Sequence, residues 1–179
     1  MPDATIQNNT DEKSLVTKKT IAFLESINDI EGDINASTLE NEIHFVAWIK
    51  ASDFSPLTKL YITICHSKKT VSVSLPIIEQ ISYVYRLLVI NYINKVNCLI
   101  TGNGKLVLRD SGTVYYEQEH IVRDEKFSII DEGLHDVVNA AISLLKRHYK
   151  SIDALNYGVL SPDEKYMFLN QVKCCLQNI

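Results

Sequence analysis

The 179-residue chain has little of what builds fibrous, secreted or membrane-spanning proteins: six glycines, four prolines, four cysteines and a single tryptophan. So few Gly and Pro exclude collagen-like and Pro-rich low-complexity chains. No apolar run approaches the length needed to cross a bilayer, and Met1-Pro2-Asp3-Ala4-Thr5-Ile6 lacks the basic start and apolar stretch of a secretory leader. The expected location is the cytoplasm, where Cys65, Cys98, Cys174 and Cys175 are free thiols rather than a disulfide framework. The Asn-x-Ser/Thr matches at Asn8 and Asn35 then carry no meaning. A long run of one charge is also missing. Eighteen basic and twenty-two acidic residues leave a net charge of -4, which argues against nucleic acid or an anionic membrane as partner.

What is present is apolar material, 46% of residues, enough for one core that buries about 70% of the unfolded chain's surface. Residues 1–12 are polar and are expected to form a disordered tail, leaving 13–179 as a single domain. Leu15, Ala22, Phe23 and Ile27 recur at helical spacing over Ser14 to Asn28, with Ser14 as N-cap. The period then drops to two. Ile43, Phe45, Ala47 and Ile49 mark one strand, Leu60, Ile62 and Ile64 a second, and Val71, Val73 and Leu75 a third. Their connections are too short for anything but antiparallel neighbours.

Beyond Pro76 the period lengthens, with Ile81, Val84, Tyr85, Leu88, Val89 and Tyr92 on one stripe of a helix over Gln80 to Asn97. Leu87, Ile90 and Ile93 lie outside that stripe, so this helix is either central or a dimer contact through Tyr85, Leu88 and Tyr92. Cys98 to Arg109 and Thr113 to Val122 form a hairpin about Asp110-Ser111-Gly112, with Gly102 and Gly104 bending the first arm. A long helix spans Ser128 to Leu155 and ends at Gly158, and Ser161-Pro162-Asp163-Glu164 starts a terminal helix. The expectation is an α+β fold of order α-βββ-α-ββ-α-α, an antiparallel sheet of about five strands covered on one face by helices.

The Gly102-Asn103 pair, the apolar strand after it, the Asp-Ser-Gly turn and Val114-Tyr115-Tyr116-Glu117 together resemble the second half of the YbjN family. Tyr157-Gly158-Val159-Leu160-Ser161-Pro162 is similar to the stretch that closes the family's long helix, and by element order the resemblance spans residues 14 to 175. Gly104 and the segment Lys150 to Ala154 depart from the family's pattern. The resemblance implies a bacterial protein with a fold like that of type III secretion chaperones, a description as a sensory transduction regulator, and no inherited catalytic residues.

The chemistry-bearing residues form no recognisable catalytic pattern. His135 and Asp136 near Asp131 place three metal-ligand types on one or two helix turns, but a site needs further ligands and a solvated helix face accounts for them. Cys65 and His66 are adjacent in a strand and so point to opposite faces, and His44 and His120 stand alone in strands. Gly102-Asn103-Gly104-Lys105 lacks the spacing and the following helix of a phosphate loop. Core packing accounts for Cys174-Cys175.

Alternation sends Val46, Trp48, Tyr61, Val107 and Tyr115 to the outer face of the sheet, among His44, Lys59, Lys105 and Arg109. Aromatic residues ringed by charge are typical of interface cores, although ordinary cross-strand pairing also produces them. The sequence therefore points to a non-enzymatic protein-binding module with no cofactor or metal, whose partner is another protein or a second copy of itself. The alternatives are a small enzyme or metal protein using His135, Asp136 and Asp131, and a purely structural homodimer.

Overall fold

The computed structural model describes residues 4–50, 57–100, 102–122 and 133–159, with the side chains of the first helix described from Lys13 onward. In chain order the elements are α1 (Ala4–Glu25), β1 (Ile30–Leu39), β2 (Glu42–Ile49), β3 (Thr58–Cys65), β4 (Thr70–Ile78), a 3-10 turn (Tyr83–Tyr85), α2 (Arg86–Asn97), β5 (Lys105–Leu108), β6 (Val114–Ile121) and α3 (Gly133–Asn156). The strands form one six-stranded sheet of order β1-β2-β3-β4-β6-β5, every neighbouring pair antiparallel. The fold is α+β. Among the described residues no helix is long and apolar enough to cross a membrane.

One face of the sheet makes the core. Ile43, Phe45, Ala47 and Ile49 on β2 are buried and alternate with half-exposed partners, and Leu60, Ile62 and Ile64 continue the same face on β3. Val71, Val73 and Leu75 carry it across β4 to Tyr116 on β6 and Leu106 on β5. Over this face α3 packs on β4 and β6, α2 on β5, and α1 on β1 and β2. The apolar side of α3, from Leu134 through Val138, Ala141 and Leu145 to Leu155, is buried along its length.

The end of α3 follows from Gly158, as the sequence predicts. Its φ of 70° lets the Gly158 N–H reach the Leu155 carbonyl while Val159 N–H reaches Ala154, which satisfies two carbonyls the helix would leave unpaired.

Three expectations change. The sheet has six strands rather than about five, because β1, Ile-Glu-Gly-Asp-Ile-Asn-Ala-Ser-Thr-Leu, has no period of two. It is an edge strand with a register shift between Glu31 and Asn35, so only Ile30 and Ile34 turn toward the core and no alternation can show. The first helix begins at Ala4, within the segment expected to be a disordered tail, and it ends at Glu25 rather than Asn28. Once Val16, Phe23 and Leu24 fix its second half on the sheet, extending the helix backwards adds one hydrogen bond per residue without a new nucleus. The hairpin is shorter than expected, since its first arm is strand only from Lys105 to Leu108. The terminal helix expected from Ser161, and Cys174-Cys175 within it, lie outside the described residues.

Two contacts set the β5 edge. A side chain at Gly104 would meet the Tyr116 hydroxyl at 2.1 Å and its ring at 2.7 Å, so the backbone lies directly on that buried ring. Asn97 then closes the edge: its carboxamide donates to the Leu106 carbonyl at 2.9 Å and accepts from the Leu106 N–H at 2.7 Å. The side chain thus supplies Leu106 with the pair of bonds a further strand would make. Gly104→Ala should destabilise the fold by about 1–3 kcal/mol through overpacking, and Asn97→Ala by about 1–3 kcal/mol through two stranded backbone groups. Urea midpoints for the two variants check both values.

Candidate binding face

On the face opposite the helices the strand registers decide which side chains meet. Val46 lies opposite Tyr61, and Tyr61 opposite Ser74; Trp48 lies between Glu31 and Lys59. Farther across, Tyr115 pairs with Pro76 on one side and Val107 on the other, and Glu117 sits between Ser74 and Lys105. The five residues expected on this face therefore share it. They fall into two groups, Val46, Trp48 and Tyr61 on β2 and β3, and Val107 and Tyr115 on β5 and β6, with β4 between them.

Sequence reasoning missed what β4 contributes. Its outward residues are the small Ser72 and Ser74. They line a recess of about 500 Å³ whose other wall carries Lys105, Arg109, Glu117 and Glu119. The signal was available, because the alternation that buries Val71, Val73 and Leu75 turns Ser72 and Ser74 outward.

Both flanking rings are covered by the protein's own cations. Lys59 Nζ stands 4.8 Å from the Trp48 ring centre, and the Arg109 guanidinium stands 4.7 Å from that of Tyr115. Arg109 also donates to Glu117, and that hydrogen bond, followed by Glu117's charge, raises the guanidinium pKa. At one end of the face His44 bonds Thr63 at 3.1 Å and approaches Glu42 at 3.2 Å. Tyr61, 40% exposed, is the ring left most open.

The residues expected at a dimer contact face inward. Leu88 is only 6% exposed, the Tyr92 hydroxyl bonds His148 Nδ1 on α3 at 2.8 Å, and the Tyr85 ring lies where a side chain at Gly158 would go. The chain enters the helix through a 3-10 turn, with three residues per turn rather than 3.6, so Val84 leaves the expected stripe while Leu88 and Val89 stay buried on it. Ile93, outside the expected stripe, is also buried, and the outward-facing apolar residues are Tyr83, Val84, Leu87 and Ile90.

The described residues do not bring the metal-ligand constellation together. His135 stacks on Phe23 of α1 with ring centres 3.7 Å apart, and Asp131 lies outside the described residues. Among the described residues no group of three His, Cys, Asp or Glu side chains is placed to hold an ion. Cys65 is buried with its Sγ 3.4 Å from Ser67 Oγ, and His120 lies against Gly133 at the start of α3.

No protein-family model matches the chain, and no curated protein matches it either.

Two outcomes follow for the helix pair. Leu88→Glu should abolish cooperative folding while Leu87→Glu leaves the far-UV circular dichroism and the thermal midpoint close to wild type. Burial first, and the charge of Arg147 second, lower the His148 pKa below its ordinary 6.5. The unfolded chain then takes up the proton at a higher pH than the folded one, so stability falls as pH drops through about 6.5. Thermal midpoints measured down to pH 5 should show this fall in wild type and a smaller one in His148→Gln.

Proposed function

We propose that the protein is a non-enzymatic binding module that holds a segment of another protein on the outer face of its sheet. The observation that carries the reading is the recess over Ser72 and Ser74, walled by Lys105, Arg109, Glu117 and Glu119, with Tyr61 paired to Ser74 on the neighbouring strand. Small hydroxyls on the floor offer hydrogen bonds and room, the open Tyr61 ring offers apolar contact, and flanking charges fix orientation. Open aromatic rings beside charged and hydrogen-bonding side chains are common in protein contacts. The resemblance to the YbjN family and its secretion-chaperone-like fold supports the same class of function, regulatory or chaperone-like.

A second reading is a homodimer, favoured by the outward-facing Tyr83 and Val84 of the 3-10 turn together with Leu87 and Ile90 of α2. It differs in its sign: sedimentation would give a dimer in wild type and a monomer in Leu87→Glu.

The test of the first reading uses the tagged protein purified from its own cells, with co-purifying proteins identified by mass spectrometry. Trp48→Ala with Tyr61→Ala should fold with at most about 1 kcal/mol lost, since neither ring is in the core. It should also lose a partner that wild type retains by ten-fold or more. A folded double variant that keeps every partner defeats the proposal.

A further inference from the structure

On the other side of β6 a second recess, of about 450 Å³, opens between the end of α2, the sheet and α3. Its size falls in the range of small-molecule sites. The floor is polar and already ordered: Tyr116, 2% exposed, donates its hydroxyl to Gln118 Oε1. One wall is apolar, where Leu99, 81% exposed, stands beside Ile100 just past α2. The opposite wall is one face of α3. Asp136, Ala140, Ser143 and Arg147 follow each other at spacings of four, three and four, so they share a stripe. The two smallest side chains lie in its middle, which is why a gap exists there.

The two ends of this stripe differ in charge. Arg147 is exposed and makes no ion pair among the described residues, and beside it His148 is held by Tyr92 at 2.8 Å. Asp136 marks the far end, eleven residues or about 16 Å along the helix. An exposed leucine opposite two small residues, with an exposed guanidinium at one end, suits a ligand with an acid group and an apolar body. The carboxylate of Asp136 repels a second acid group at the other end. We propose that this recess binds a small monocarboxylate, its acid group at Arg147 and its apolar part between Leu99 and the Ala140-Ser143 stretch of α3. This site is independent of the outer face and of any protein partner there.

Octanoate is a suitable probe, with octanol and the eight-carbon dicarboxylate as controls, each titrated into the full chain and followed by the methyl resonances of Leu99, Ala140 and Leu144. Octanoate should bind saturably and shift these methyls, and both controls should bind about ten-fold more weakly, the alcohol for want of a charge-assisted pair. Arg147→Gln should weaken octanoate about ten-fold and leave octanol unchanged. Ser143→Leu, at an exposed helical position, should fill the recess and remove binding of both while preserving the circular dichroism. Absence of saturable octanoate binding overturns the proposal. So do equal affinities for octanoate and octanol, shifts confined to other parts of the molecule, or full binding by a folded Ser143→Leu variant.

Discussion

The pairing of β4 with β6 is the contact on which the remaining architecture depends. It joins a four-strand antiparallel run to a hairpin that the chain reaches only after crossing the sheet through α2. Closing the intervening stretch, from Ile78 to Val114, costs about 3 kcal/mol of chain entropy. The row Leu75, Tyr116 and Leu106 repays that, since each fully buried side chain of this size contributes about 1.5–3 kcal/mol. Because β6 enters between β4 and β5, successive residues of one strand serve both surfaces. Tyr116 forms the floor of the recess under the helices, and Glu117 a wall of the recess on the open face.

How much of this was legible depended on whether burial was one-sided. β2, β3 and β4 have one face in the core and one outside, so their sequences alternate and both faces could be assigned, down to Val46, Trp48 and Tyr61. The edge strand β1 has almost nothing buried, and its residues carry no imprint of the sheet they join. The stripe of α2 was visible, and Leu88 and Val89 are buried on it; the exposure of Val84 was not, because that residue lies in a 3-10 turn, which leaves no separate hydrophobic signature. For the binding face, aromatic residues drew attention, whereas Ser72 and Ser74 define the recess by being small.

The charges on the outer face shape what it can hold. Lys59 over Trp48 and Arg109 over Tyr115 give each ring a cation before any partner arrives. A partner segment meets those rings at their edges unless it supplies acidic groups that draw the cations aside, and Glu117 holds Arg109 against such displacement. Tyr61 has no such cover and sits beside the floor of Ser72 and Ser74, so apolar contact concentrates on the β3 side of the recess. The asymmetry gives the face a direction across the sheet.

The bidentate contact of Asn97 with Leu106 rests on one nitrogen atom. The carboxamide fits because it carries a donor and an acceptor side by side, matched to a carbonyl and an N–H. Hydrolysis of that amide, the ordinary chemical ageing of asparagine, replaces the nitrogen with oxygen and sets a carboxylate against the Leu106 carbonyl. An exchange of one atom would turn attraction into lone-pair repulsion at the end of the sheet and free a strand edge for pairing. The age of the molecule would then be written at its shortest strand.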